Sequence, residues 1–247
     1  MLPVHDTVPR RHPPVVVWSL VGANVAVFVL QTMLPASINE WIAFHFGLVP
    51  ARYTDPAWAR AAGLSPDNPL PFITNMFLHG GFAHILGNMW TLWIFGGAVE
   101  DRLGRARFLA LYFLSGLAAS VVTHFLANAG STVPAVGASG AISGVLGAYA
   151  MLFPLARIVF VAPVLFIPFF FELPALLYTG FWFLLQFLYG TWDLIAPRVG
   201  GGVAWWAHIG GFVAGLALVR LLLVRRRLRR YYLDEGWLGH GPDGRPR

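Results

Sequence analysis

Long apolar runs alternate with short polar segments along this chain. The run lengths suit helices that cross a bilayer, each of which takes about 20 residues. The pattern predicts spans over Val15–Leu34, Phe82–Val99, Phe108–Ala127, Ser139–Phe153, Pro174–Tyr189 and Ala204–Val224. Between the first two, Pro35–His79 mixes prolines and charges with Trp41, Phe44, Phe46, Trp58 and Phe72, which reads as a long loop with aromatics at headgroup level. Glu100–Arg107 reads as an arginine-rich turn and Asn128–Val136 as a small polar one. The stretch from Ile158 to Leu188 is apolar but too long for one helix, and Pro163, Pro168 and Pro174 interrupt it. Arg157–Phe171 is therefore expected to be an interfacial or re-entrant segment, with the fifth span opening near Pro174, a residue type suited to a first helical turn. Trp192–Val203, with three consecutive glycines, reads as a loop. The first run is too long for a cleavable signal and has no evident cleavage site, so it is expected to be a retained helix.

Composition supports a membrane protein. Of 247 residues, 57% are hydrophobic and only 11% charged, where a soluble domain carries about 25%. There is no cysteine, which excludes disulfides, thiol catalysis and cysteine-ligated metals. All 17 basic residues are arginine, and their distribution accounts for the net charge of +6 without nucleic acid. Six spans put both termini on one side, together with fourteen arginines, against Arg52, Arg60 and Arg198 opposite. The positive-inside rule makes that side the cytoplasm. Arg225, Arg226, Arg227, Arg229 and Arg230 then face anionic lipid. The expected organisation is a cytoplasmic segment over 1–14, a membrane domain over 15–224 and a basic tail over 225–247, disordered toward its end.

Polar side chains inside the spans are few, and such residues tend to mark function. Ser139 opens the fourth span, flanked by Gly137 and Gly140. His208 lies near the start of the sixth, and His84 with Asn88 occupies one face of the second. All three spans run inward, so the four residues share the outer third of the membrane at about 1.5 Å rise per residue. Gly140, Gly144 and Gly147 nearly stripe one side of the fourth span, and Ala207, Gly211 and Gly215 stripe the sixth. Small residues permit close helix approach, which brings His208 toward Ser139. Alone, Ser139 reads first as a serine bonded to the carbonyl one turn back, and His208 as a packing histidine beside Trp205 and Trp206. Together, a serine at a helix N-terminus, a neutral imidazole and an amide are the parts of an acyl-transfer site. No carboxylate lies at that depth, so a Ser–His dyad is expected rather than a triad. A metal site on His79, His84 and His208 is the weaker alternative, since no carboxylate joins them. A transporter is disfavoured because no inverted repeat or mid-span charge is visible.

Gly137-Ala138-Ser139-Gly140, Ala207-His208-Ile209-Gly210-Gly211 and the segment His79–Asn88 resemble the signature segments of rhomboid intramembrane serine proteases. Phe46-Gly47-Leu48-Val49-Pro50 and Val99–Gly104 are also similar to bacterial members. The resemblance implies an all-α membrane protein, a six-transmembrane-helix bundle with both termini cytoplasmic and a site opening to the extracytoplasmic side of the cell membrane. It implies Ser139 as nucleophile, His208 as general base, and His84, Asn88 and the Ser139 amide as the oxyanion hole. The substrates would be transmembrane segments of other proteins, reaching the site past the fifth span, where Trp182 and Phe183 would line a gate and Trp192–Val203 would cap it. No cofactor, metal or nucleic acid is implied. A non-catalytic relative that retains membrane clients is the alternative, though it would be expected to lack Ser139 or His208. Two departures stand out. Leu70-Pro71 replaces a Trp-Arg pair common in relatives, so that loop must be braced differently. Ser143 stands where an aromatic often packs on the histidine, which predicts a less firmly held His208 and slower turnover.

Overall fold

The computed structural model describes residues 2–122, 129–195 and 204–223, most of them helical. Each predicted apolar run forms a helix, with shifted bounds. They are α1 (Val15–Met33), α6 (Phe82–Leu103), α7 (Arg105–Val122), α8 (Ser139–Leu152), α9 (Ala175–Ile195) and α10 (Trp205–Leu222). Among them α1, α7 and α10 are long and apolar enough to cross a membrane. The 22-residue α6 and 21-residue α9 are longer, but the first carries Asn88, Glu100 and Asp101 and the second is rich in tryptophan and tyrosine. The 14-residue α8 is short, about 21 Å at 1.5 Å per residue, yet it is buried along almost its whole length.

Several boundaries differ from the sequence reading. The arginine-rich turn is a single residue, Gly104 at φ +82°, between α6 and α7. A glycine tolerates that backbone at no steric cost. Glu100 and Asp101 are needed where they stand. The Glu100 carboxylate accepts from the amides of Val16 and Val17, capping the start of α1, and Asp101 accepts from the amides of Arg11 and His12. The Glu100 bonds occupy otherwise unpaired N–H groups at the N-terminus of α1. Trp192 belongs to α9 rather than to the following loop. The end of the third predicted span, most of the predicted cap loop and the basic tail over 225–247 lie outside the described residues.

The main correction concerns the chain's strands. The segment expected to be interfacial or re-entrant is a β-hairpin, β2 (Arg157–Val164) and β3 (Ile167–Pro174), and the N-terminal residues add β1 (Leu2–Asp6) to give an antiparallel sheet of order β1-β2-β3. The fold is thus mostly rather than purely helical. Leu165 and Phe166 form the two-residue turn with φ +48° and +67°, the positive-φ geometry whose twist matches a hairpin. Ile158 and Phe160 point into the core, and Phe160 meets Tyr178 of α9 at 5.3 Å between ring centroids. The sheet is tied to the helices through Asp6. Its carboxylate accepts from Arg10 at 2.9 Å, and Arg10 also donates to the carbonyl of Ile94 in α6. Burial pushes the Asp6 carboxyl above its usual range, and the Arg10 charge opposes that push.

The long first loop is also structured. It carries α2 (Ala36–Phe46), α3 (Ala51–Thr54), α4 (Pro56–Ala61) and α5 (Pro71–Thr74), then a 3-10 turn over Asn75–Phe77. Leu70-Pro71 start α5, and the bracing comes from Arg52, only 2% exposed. Its guanidinium donates to the carbonyls of Ser65 at 2.7 Å and His45 at 3.0 Å. The Tyr53 hydroxyl donates to Asn68 O, and the Thr74 hydroxyl to Phe46 O. An isolated bridge between Leu48 and Ala135 docks this loop beside the start of α8.

Candidate active site

The helix contacts that build the site are glycine contacts. α8 and α10 share the most extensive helix–helix contact of the fold. A Cβ on Gly211 would stand 2.0 Å from the carbonyl oxygen of Gly140, and one on Gly215 would stand 1.9 Å from that of Gly144. A Cβ on Gly147 would meet the Phe212 carbonyl at 2.2 Å. The backbones touch, as small-residue stripes allow. α7 closes the other side, where a Cβ on Gly144 would collide with Ser115.

That approach joins the two expected residues. His208 Nε2 lies 2.8 Å from Ser139 Oγ. Ser139 is the first residue of α8, whose N-terminal amides receive no side-chain cap because Ala138 precedes it. Those N–H groups are therefore available to a developing negative charge. Gly137, two residues earlier, sits at φ +128°, and a Cβ there would be 2.7 Å from His84 Nε2 and 3.6 Å from Asn88 Nδ2. Glycine is required at this position for both reasons. The same contacts place His84 and Asn88 directly over the turn that presents the serine. Asn88 is buried, and its Nδ2 donates to His79 Nε2 at 2.9 Å. An amide nitrogen carries two hydrogens, so one donor remains. His79 is 3% exposed, and burial, with His84 nearby, lowers its pKa to about 4. It is therefore a neutral acceptor for Asn88.

A cavity of about 30 Å³ opens beside Ser139, lined among others by Gly137, Gly140, Ala207 and the polar residues Asn75 and Ser120. That is room for about one water molecule with polar partners. Among the described residues, no group of three or more His, Cys, Asp or Glu is arranged to hold a metal ion.

Trp182 and Phe183, the expected gate residues, stand on α9 against α10. Trp182 is 6.0 Å from His208 and 5.9 Å from Phe212 between ring centroids, and Phe183 is 4.9 Å from Phe212. These contacts correct the expectation about Ser143. The residue is buried and its hydroxyl donates to the Ser139 carbonyl at 2.6 Å, while the aromatic support of His208 comes from Trp182 and from Trp205. His208 does not lack a ring neighbour.

One polar partner was missed in the sequence. His208 Nδ1 lies 2.8 Å from Oε1 of Gln186 on α9. The imidazole therefore has a partner within hydrogen-bond distance at both nitrogens, the second being an amide and not a carboxylate. The available signal was the amide itself, a lone Gln in the apolar run Phe181–Tyr189.

Residues 66–225 match the family model of the Rhomboid domain. The chain is 33% identical over 162 residues to Rhomboid protein 1, mitochondrial, of Saccharomyces cerevisiae, covering 63% of this chain and 42% of the yeast protein. It is 42% identical over 81 residues to the putative rhomboid protease YdcA of Bacillus subtilis, covering 31% and 38%. It is 42% identical over 76 residues to the rhomboid protease GluP of the same organism, covering 31% and 14%. The chain spans less than half the length of these relatives. With the family model matched over most of its length, this membrane-embedded chain belongs to the rhomboid family, which includes serine proteases.

Proposed function

We propose that the protein is an intramembrane serine endopeptidase that cleaves transmembrane segments of other proteins near the outer face of the bilayer. The observation that carries this reading is the 2.8 Å approach of His208 Nε2 to Ser139 Oγ at an uncapped helix N-terminus. Ser139 Oγ attacks the peptide carbonyl while His208 Nε2 takes the hydroxyl proton. The developing oxyanion is met by the Ser139 amide, the remaining Asn88 N–H and the His84 ring. The tetrahedral intermediate collapses as His208 returns the proton to the leaving amine, which leaves an acyl-enzyme. A water, for which the cavity beside Ser139 has room, then gives a proton to His208 and attacks the ester; as the C–Oγ bond breaks, His208 returns that proton to Ser139 Oγ and the new carboxyl terminus leaves.

In this reading α1, α6, α7, α8, α9 and α10 are the six spans of a domain over 15–224. Both termini and the β-sheet lie on the cytoplasmic side of the cell membrane. Arg10 and Arg157 fall there, with the basic tail, as the positive-inside rule requires. Ser139 then opens toward the extracytoplasmic side. Substrates pass α9, where Trp182 and Phe183 separate the site from lipid. Purified protein reconstituted with a transmembrane reporter tests the reading. Wild type is expected to cleave it, and both Ser139→Ala and His208→Ala to abolish cleavage. Cleavage that survives Ser139→Ala refutes the assignment.

A further inference from the structure

We infer that Gln186 is a positioning residue for the Ser139–His208 pair, holding His208 in the tautomer that can accept the serine proton, and that α9 thereby controls whether the pair is competent. The inference rests on the proposed proteolytic reading and assigns it a third side chain. The amide's orientation is fixed by its own helix. Gln186 Nε2 donates to the Trp182 carbonyl at 3.3 Å, which leaves Oε1 facing the imidazole 2.8 Å away. Turned over, the amide would set Oε1 against that carbonyl and offer the ring a donor. An acceptor at Nδ1 requires the hydrogen there. Nε2 is then unprotonated and turns its lone pair to Ser139 Oγ, 2.8 Å away. In the other tautomer Nε2 would donate to the hydroxyl, and the serine would have no base. Holding the correct tautomer is the task a buried carboxylate performs in a triad. An amide does it without placing a charge among apolar groups, where an unpaired carboxylate is costly.

The location on α9 gives the bond a second meaning. Gln186 is buried, yet Phe181, Leu184, Phe187 and Leu188 around it are each at least 46% exposed. α9 touches α10 much less extensively than α8 does. Beside the site it is held by ring contacts of Trp182, Phe183, Phe187 and Tyr189 with α10, and by the Trp206 indole donating to Gly190 O at 3.2 Å. Moving α9 outward by roughly an ångström takes the Gln186–His208 distance past the hydrogen-bond limit of about 3.5 Å. The helix with the loosest attachment beside the site therefore carries the group that sets the base.

The test uses full-length protein in detergent micelles with ¹⁵N-labelled histidine, the His208 ring signals being assigned by their loss in His208→Ala. Wild type is expected to show a hydrogen on Nδ1, and Gln186→Met, which removes the acceptor at similar length, to show both tautomers. On a transmembrane reporter, Gln186→Met is expected to lower kcat about 10–100-fold with KM within about twofold and thermal stability nearly unchanged. Gln186→Glu keeps an acceptor and is expected to restore the Nδ1–H signal and part of kcat. If Gln186→Met fails to fold, Gln186→Asn withdraws the acceptor and is read in the same way. A wild-type tautomer pattern in Gln186→Met or Gln186→Asn overturns the inference, and so does a rise in KM at unchanged kcat. The ring signals do not depend on turnover. A wild type that cleaves nothing while its tautomer still answers to Gln186 would sink the proteolytic reading and leave the positioning role standing.

Discussion

Gly211→Ala tests whether backbone contact between α8 and α10 sets the distance between serine and histidine. The added methyl would stand 2.0 Å from the Gly140 carbonyl oxygen and 3.0 Å from its carbon. Neither atom is the end of a flexible side chain, so relief requires one helix to retreat by more than an ångström. Gly140 directly follows Ser139, and Gly211 lies one turn from His208, so the retreat acts where the 2.8 Å bond is made. A displacement of that size near a reacting pair costs about 100-fold in rate, or about 2.7 kcal/mol of transition-state stabilisation. Overpacking a core costs a further 1–3 kcal/mol or about that in stability. The assay is cleavage of a transmembrane reporter in liposomes, alongside thermal unfolding in detergent. Gly22→Ala on α1 is the control, since nothing lies within 4 Å of a Cβ there. Expected is a loss of kcat in Gly211→Ala with near-normal KM, and no loss in Gly22→Ala. Full activity in a folded Gly211→Ala would refute the claim that this contact aligns the pair.

Three other outcomes follow from the same structure. Arg52→Ala leaves the carbonyls of Ser65 and His45 without their donor in a buried loop, and should cost about 3 kcal/mol. It should also open the segment between α2 and α5 to limited proteolysis, with Arg52→Lys recovering only part; unchanged unfolding would contradict the bracing role. The His79 pKa is lowered in the fold from 6.5 to about 4, so its neutral form contributes stability that is present above about pH 6.5 and lost as pH falls through about 4. The size is about 3 kcal/mol at most. His84 faces it at 5.1 Å between ring centroids, so the comparison is with His79→Gln, which should unfold less steeply on acidification; an equal slope would exclude His79 as a source. Ser143→Ala gives up one bond to the carbonyl a turn back and should keep activity within about threefold, whereas Ser143→Phe forces a ring into a position 1% exposed and should destabilise by about 1–3 kcal/mol. A Ser143→Phe enzyme more stable than wild type would show that the site has room the structure does not reveal.

Ser139, His208, His84 and Asn88 were legible in the sequence because polar side chains in apolar helices are few and helical rise fixes their depth. The glycine stripes were legible for the same reason of spacing, and they close the contact they suggested. Gln186 was overlooked because its helix has no glycine stripe to mark a facing neighbour, and an amide at one position does not reveal what lies across from it. The hairpin was hidden by composition. Residues 157–174 are apolar on both faces toward the turn, so no alternation separates strand from helix, and prolines at 163 and 168 suggested an interfacial or re-entrant segment. The pairing puts those prolines opposite each other, one step from the turn, near a strand end where a missing donor is tolerated. Bracing by Arg52 was invisible because a single arginine in a loop looks like any solvated charge.

The pairing of β1 with β2 also dictates an order of assembly. Leu2 bonds opposite Val161, so the first strand is synthesised well before its partner exists. At about 5–20 residues per second, residues 2–6 wait roughly ten to thirty seconds while the intervening helices are delivered to the bilayer. Throughout that interval Asp6 has its local partner Arg10 but neither β2 nor Tyr149, which approaches its carboxylate in the finished fold. Only when β2 emerges can the early segment fasten to the bundle, making the sheet a late latch whose closing reports that α1 through α8 have already been made.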